Sequence, residues 1–298
     1  MIASSLLLCV ALASDVSSAD LAPAPLAKVG VIGASMTDGL LLPLELDCMV
    51  TIEDVVKAAC VDPKLGTARA SSSLLFRDPR YYGKGEVDRI VAARPTLVIA
   101  VDFLFWYGYG DTWNEGEGRI AGLDEGLEQI ARFDCPVIVG DFPDMHVAAV
   151  KGVSITGGPI IHLRQIPDVA TIAKLNEHLR AWAKDHPNVH VVPLGDLVTQ
   201  IREGREMRLR GNVWPAGSAE TLLDRDLLHP TLDGTIAVVL HALDLLVRED
   251  PRFAPESFEW DRAKIRERVL ETKRPEREAR LEMKKRRASG AGTAAGHR

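Results

Sequence analysis

Two short segments at opposite ends of the chain carry residue types that suit nucleophilic catalysis. Ser35 stands in Gly33-Ala34-Ser35-Met36-Thr37-Asp38-Gly39, and Asp226-Leu227-Leu228-His229-Pro230 follows about 190 residues later. A serine hydroxyl is a weak nucleophile until a base takes its proton. An imidazole does this well only when a carboxylate fixes its tautomer and steadies its charged form. A spacing of three puts Asp226 and His229 on the same side of a tight turn, and Pro230 stiffens the exit. Small residues on both sides of Ser35 permit a sharp turn that exposes its hydroxyl. A serine after a strand is more often a helix N-cap; the Asp-x-x-His-Pro run is what sets Ser35 apart.

These residues need a frame. Lys28-Val29-Gly30-Val31-Ile32-Gly33 reads as a short buried strand ending in a tight turn just before Ser35. Thr96–Val101 is a second apolar run, without alternation as expected of a strand covered on both faces, and Pro136–Gly140 and Val189–Leu194 read as a third and a fourth strand. Helical periodicity fills 51–60, 85–93, 123–133, 170–185, 196–203 and 234–247, and a Gly- and Pro-containing excursion spans 141–169. Alternating strands and helices predict a parallel sheet with helices on both faces, a three-layer α/β/α arrangement. In such sheets ligands bind beyond the C-terminal strand ends, where Ser35 would lie. The amides opening the next helix would suit an oxyanion there.

Together the two segments resemble the SGNH (GDSL-type) hydrolase family. Its first motif, Gly-Asp-Ser-(Leu/Ile)-(Ser/Thr)-x-Gly, is matched by Gly33 to Gly39, and its last, Asp-x-x-His-Pro, by Asp226 to Pro230. The resemblance covers about residues 28–247. It implies a flavodoxin-like parallel sheet and hydrolysis of esters, often acetyl or acyl groups on carbohydrates or lipids. Ser35 would be the nucleophile, His229 the base and Asp226 its orienting acid, with no metal and no cofactor. The departures concern the oxyanion hole, to which the Ser35 amide contributes. Ala34 replaces the motif's Asp. Ala70, in Arg69-Ala70-Ser71, is the best match to the Gly that supplies a second amide. Asp102 stands where an Asn side chain is expected. Losing one such donor costs about 10²–10³ in kcat. An ionised Asp102 would oppose the oxyanion; a protonated one would donate to it, or it would position a substrate hydroxyl.

Phe103, Phe105, Trp106, Tyr107, Tyr109 and Trp113 crowd the stretch after the second apolar run. Phe105 and Trp106 are candidates to line a substrate pocket, by stacking on a sugar ring or bordering an acyl chain. Asp141, at the end of the Pro136–Gly140 run, is a candidate to shape the same pocket. Gly30-Val31-Ile32-Gly33 fails the dinucleotide fingerprint, because residue 32 is Ile and residue 36 is Met. The eight histidines show no metal-ligand spacing; His186 and His190 are separated by a helix-breaking Pro187.

Length and composition agree with one α/β domain. Of 298 residues, 46% are hydrophobic and 26% charged. Residues 1–19 read as a secretory signal peptide with a short apolar core and small residues near Ser17-Ser18-Ala19, and this predicts a secreted or periplasmic protein. Residues 20–27 form a Pro-containing linker, 28–252 the hydrolase-like domain, and 253–298 a charged, helical to disordered tail. From Asp261 to Arg287 the tail holds 12 Lys/Arg against 6 Asp/Glu. The net charge of −6 therefore leaves about −12 on the rest, which argues against a nucleic-acid partner. Elsewhere no apolar stretch approaches the ~18 residues of a membrane span. Cys48 and Cys60 are either a short-loop disulfide or two buried thiols. The expected partner is a small-molecule, glycan or lipid ester. The alternative is a non-catalytic ligand-binding module on the same fold, with the aromatic stretch as its surface.

Overall fold

The computed structural model describes residues 25–110 and 116–294. The expected leader, residues 20–24 of the linker and Trp113 lie outside the described residues. In chain order the elements are β1 (Lys28–Gly33), α1 (Ser35–Asp38), α2 (Leu42–Leu46), α3 (Ile52–Ala59), β2 (Gly66–Ser71), α4 (Pro79–Ala93), β3 (Leu97–Ala100), α5 (Phe105–Gly108) and α6 (Glu117–Ile130). They continue with β4 (Val137–Gly140), α7 (His146–Lys151), α8 (Val169–Lys184), β5 (Val189–Val192) and α9 (Leu194–Arg202). A hairpin of β6 (Met207–Leu209) and β7 (Asn212–Trp214) follows, then α10 (Ala219–Leu222), α11 (Leu232–Glu249) and α12 (Arg262–Ala294).

The main sheet is wholly parallel with strand order β2-β1-β3-β4-β5. This is the flavodoxin-like order, and the three-layer α/β/α fold agrees with the expectation from sequence. Helices α4, α6 and α8 pack side by side on one face; α3, α11 and α12 form the other. The apolar runs are buried as a doubly covered sheet requires, with Val29, Val31, Ile32, Leu97, Val98, Val137, Ile138 and Val139 fully enclosed. Helix α11 is apolar nearly all round because it lies between the sheet and α12. In this strand order the chain reverses its winding between β1 and β3, so a crevice opens beyond their C-terminal ends. Ser35 follows β1 by two residues and Asp102 follows β3 by two.

Two elements differ from expectation. Strand β2, Gly-Thr-Ala-Arg-Ala-Ser, has no apolar run to announce it, because its faces are only partly covered and Ala70 alone is buried. The charged tail is helical, but its first turns are docked. Phe253, Phe258, Ile265 and Val269 are buried, so residue 252 does not mark the end of the packed unit. Lys273 pairs with Asp54 at 2.8 Å, and the Arg268 guanidinium donates to the Ala58 carbonyl at 3.0 Å. Cys48 and Cys60 are buried free thiols. Among the described residues no helix is long and apolar enough to cross a membrane.

Candidate active site

The loop between α10 and α11 brings Asp226 and His229 over the end of β1. An antiparallel bridge between Leu223 and Pro230 closes its base, and the Asp224 amide donates to the His229 carbonyl at 2.8 Å. Inside this turn Asp226 Oδ1 accepts the amides of Leu228 and His229, both at 2.9 Å. Its Oδ2 lies 2.7 Å from His229 Nδ1, and His229 Nε2 lies 2.9 Å from Ser35 Oγ. Asp226 is wholly buried and His229 nearly so. Burial alone would raise the Asp226 carboxyl. The bond from His229 and the two amides outweigh it and hold the group below its ordinary range. A carboxylate at Nδ1 favours the proton on that nitrogen and leaves Nε2 free to accept from Ser35. Leu227 pays for the tight turn with a left-handed backbone, φ 57°. Arg202 on α9 bolts the loop down: Nη2 donates to the Leu227 carbonyl at 2.8 Å, and Nη1 donates to the Asp144 carbonyl.

The turn that carries Ser35 is held by three acidic residues. Asp102 Oδ2 accepts the amides of Met36 and Thr37 at 3.0 and 3.2 Å, and its Oδ1 accepts the Thr37 hydroxyl at 2.5 Å. Glu86, on α4, accepts the Gly33 amide at 3.1 Å. Asp38 accepts the Ser71 hydroxyl at 2.5 Å, the Ser73 amide at 2.7 Å and Arg69 Nη1 at 2.8 Å, tying the exit of β2 to α1. Gly33 is required where it stands. Its φ is 153°, and a Cβ there would lie 2.1 Å from Asp102 Oδ1 and 2.3 Å from Thr37 Oγ1.

The other residues singled out from sequence scatter. Ala70 sits inside β2 opposite Ile32 and borders neither cavity at the site. Asp102 reaches the crevice, but its carboxylate accepts the amides behind Ser35; its place is that of a brace. Phe105 and Trp106 do line the site. A cleft of about 760 Å³ opens in front of Ser35 and His229, with Trp106 and Tyr109 on its wall. A small slot of about 40 Å³ adjoins Ser35, bounded by Met36, Phe105, Trp106, Met145, Leu194 and Leu228. Asp141 lines neither. Buried at the end of β4, it accepts the Gly195 amide at 2.7 Å and pairs with Arg180, so it joins β4 to α9 and α8. Among the described residues no three His, Cys, Asp or Glu side chains gather as a metal site.

Sequence reasoning missed Glu86, Thr37, Asp38 and Arg202. Glu86 carries no local signal, being one of many charged residues on a helix. Yet it is fully buried, and its Oε1 has no partner among the described residues. Burial, reinforced by the nearby Asp102 charge, pushes its carboxyl up to about 9. Below its ordinary 4.5 the folded and unfolded chains both keep the proton and the residue costs nothing extra. Between 4.5 and about 9 the unfolded chain ionises while the folded one does not, so stability falls as pH rises through that window. Glu86→Gln removes the penalty and keeps an acceptor for Gly33. Its stability advantage over wild type is expected to widen from pH 5 to pH 8, by up to about 1.4 kcal/mol per pH unit. Urea melts at several pH values measure this, and an advantage independent of pH would refute it.

No protein-family profile and no curated protein matches the chain. Among solved structures it is similar to a gut microbial diltiazem-metabolizing enzyme, at 13% identity and a TM-score of 0.44 over 76% of this chain. This chain spans only 47% of that enzyme's length. It is also similar to a GDSL-like lipase from Bacteroides thetaiotaomicron, at 14% identity and a TM-score of 0.42, covering 76% of this chain and 89% of the lipase. An acetylxylan esterase from Geobacillus stearothermophilus aligns at 13% identity and a TM-score of 0.42, covering 74% and 94% of the two chains.

Proposed function

We propose that the protein is a serine esterase of the SGNH type that works through an acyl-Ser35 intermediate. The observation that carries this reading is the unbroken path from Asp226 through His229 to Ser35, at 2.7 and 2.9 Å, at the mouth of an open cleft. Ser35 Oγ attacks the ester carbonyl while His229 Nε2 takes its proton. The tetrahedral oxyanion is met by the Ser35 amide, which opens α1 and so has no intrahelical acceptor. His229 then passes the proton to the departing alcohol oxygen. Water, deprotonated by His229, attacks the acyl-serine and returns Ser35.

The two cavities divide the substrate. The slot has room for about three water-sized groups and is walled mainly by apolar side chains, with Asp102 also on its lining, which suits a short uncharged acyl group; the alcohol half occupies the larger cleft. Hydrolysis of 4-nitrophenyl esters is expected to be fastest for acetate to butyrate and to fall at least tenfold by octanoate. Rates that climb with chain length would overturn the assignment of the slot. An absence of turnover with every ester would overturn the enzyme reading. It would favour a ligand-binding role instead, which the brace-like Asp102 in place of a donor already suggests. Residues 1–19, read as a leader, make an exported protein part of this proposal; the mature N-terminus of exported material tests it.

A further inference from the structure

Among the described residues, four side chains border both the slot and the cleft: Ser35 and His229, which carry the chemistry, and Trp106 and Leu228. Leu228 belongs to the loop that holds His229. Trp106 stands on the other side, on the single turn α5, between Phe105, which borders the slot, and Tyr109, which borders the cleft. That turn is anchored beside and beyond Trp106. The Tyr107 hydroxyl donates to the Pro79 carbonyl at 2.8 Å, and the Tyr109 hydroxyl donates to the Pro143 carbonyl. Two glycines of α6 let it sit close: a Cβ on Gly122 would lie 2.5 Å from the Tyr107 carbonyl oxygen, and one on Gly126 2.8 Å from the Tyr107 ring. The half-buried Trp106 indole is held edge-on against Phe105, with ring centroids 5.0 Å apart at 88°, and lies 5.8 Å from the Phe76 ring.

From this we infer that Trp106 sets the acyl length the protein accepts, its indole being the partition that closes the slot against the cleft. The inference rests on the esterase reading and deepens it by assigning chain-length selection to one side chain. The slot of about 40 Å³ takes about three water-sized groups, which matches the three carbons beyond the carbonyl of a butyryl group. Its other apolar walls are backed by packed protein. Phe105 stacks on Tyr109 at 4.1 Å, and Met145 and Leu194 are buried, so a longer chain could enter there only by displacing the core. Behind Trp106 lies the open cleft of about 760 Å³. Removing the indole joins the two spaces and gives a longer acyl chain an exit.

The test is the ratio of kcat/KM for 4-nitrophenyl octanoate to that for 4-nitrophenyl acetate, in wild type, Trp106→Ala and Trp106→Leu, with both esters below the concentration at which they form micelles. The leaving group is the same in both, and intrinsic reactivity cancels between proteins. A methylene moved from water into an apolar site is worth about fourfold in affinity, and octanoate carries four more than butyrate, so the ceiling is about 250-fold. The ratio is expected to rise at least tenfold in Trp106→Ala, chiefly through a lower KM for octanoate, and by less in Trp106→Leu, with acetate turnover reduced in both. A general loosening of the site would lower both rates together and leave the ratio unmoved. Thermal melts confirm that the variants fold; if Trp106→Ala does not, a rise of at least threefold in Trp106→Leu serves in its place. A smaller rise in the folded variant, or a folded variant inert to both esters, overturns the partition while wild-type hydrolysis leaves the esterase reading standing. If wild type hydrolyses no ester of any length, both fall.

Discussion

Ser35→Ala is expected to reduce ester hydrolysis by about 10⁴-fold or more and to abolish labelling by an active-site-directed fluorophosphonate, with the fold intact. Ser35 is only partly buried, and its hydroxyl bonds to His229 alone among the described residues, so its loss leaves little unsatisfied. Asp226→Asn separates positioning from protonation more sharply. Asp226 Oδ1 holds the amides of Leu228 and His229, and the asparagine oxygen would keep those two bonds. Its NH₂ would then face His229 Nδ1, which must become an acceptor, so the proton moves to Nε2. An Nε2–H cannot take the Ser35 proton, and no solvent reaches the fully buried carboxylate position to relieve the mismatch. A fall of about 10⁴ in kcat is expected, with little change in KM for a short-chain ester. Steady-state kinetics on 4-nitrophenyl acetate and labelling measure both variants. Wild-type labelling in Ser35→Ala, or wild-type kcat in Asp226→Asn, would remove the nucleophilic mechanism.

The sheet was legible where strands are covered on both faces. β1, β3 and β4 are short, predominantly apolar runs buried on two sides, and β5, although the other edge strand, is apolar apart from His190 because α8 and α11 cover its faces. β2 was not, since its faces are only partly covered and Thr67, Arg69 and Ser71 make one of them polar. The small β6–β7 hairpin hid for a related reason. Its turn is Arg210-Gly211 with both residues at positive φ, an arrangement more often announced by Asn-Gly. Asp78, whose side chain accepts the Tyr81 amide ahead of Pro79, was a readable start signal for α4 that helical periodicity alone placed too late.

The same distinction holds at the site. Ser35, Asp226 and His229 could be picked out because their chemistry depends on residue type at fixed short spacing. The residues that hold them act from afar. Glu86 lies 53 positions from Gly33, Asp102 lies 66 from Met36, and Arg202 lies 25 from Leu227. Ala70 was assigned by likeness of local sequence to the Gly that supplies a second amide, whereas it lies inside β2, which runs one residue past it. Asp141 was assigned by its position at a strand end. That inference found the right edge of the sheet without finding which way the carboxylate is engaged.

Asp102 offers the second large effect, because its two plausible replacements are expected to diverge. Asp102→Ala leaves the Met36 and Thr37 amides and the fully buried Thr37 hydroxyl without their acceptor. An unsatisfied buried donor costs about 1–3 kcal/mol, so a loss of about 3–5 kcal/mol is expected even if water enters to meet some of them. The turn it loosens is the one that places Ser35 against His229, and a displacement of an ångström there costs about 10² in rate. Asp102→Asn differs. Its oxygen accepts the two amides, and its NH₂ donates to Thr37 Oγ1, whose own hydrogen is free to rotate away. The braces remain while a carboxyl that burial already raises is replaced by a neutral group close behind the nucleophile. That variant should fold with stability within about 1 kcal/mol of wild type and hydrolyse esters no more slowly, since removing a negative charge there eases formation of the oxyanion. Thermal melts and kcat on 4-nitrophenyl acetate distinguish the roles. Equal activity in all three proteins would show that the turn does not depend on this carboxylate. A collapse of activity in Asp102→Asn with stability kept would mean that the carboxylate itself enters the chemistry, and the brace assignment would fall.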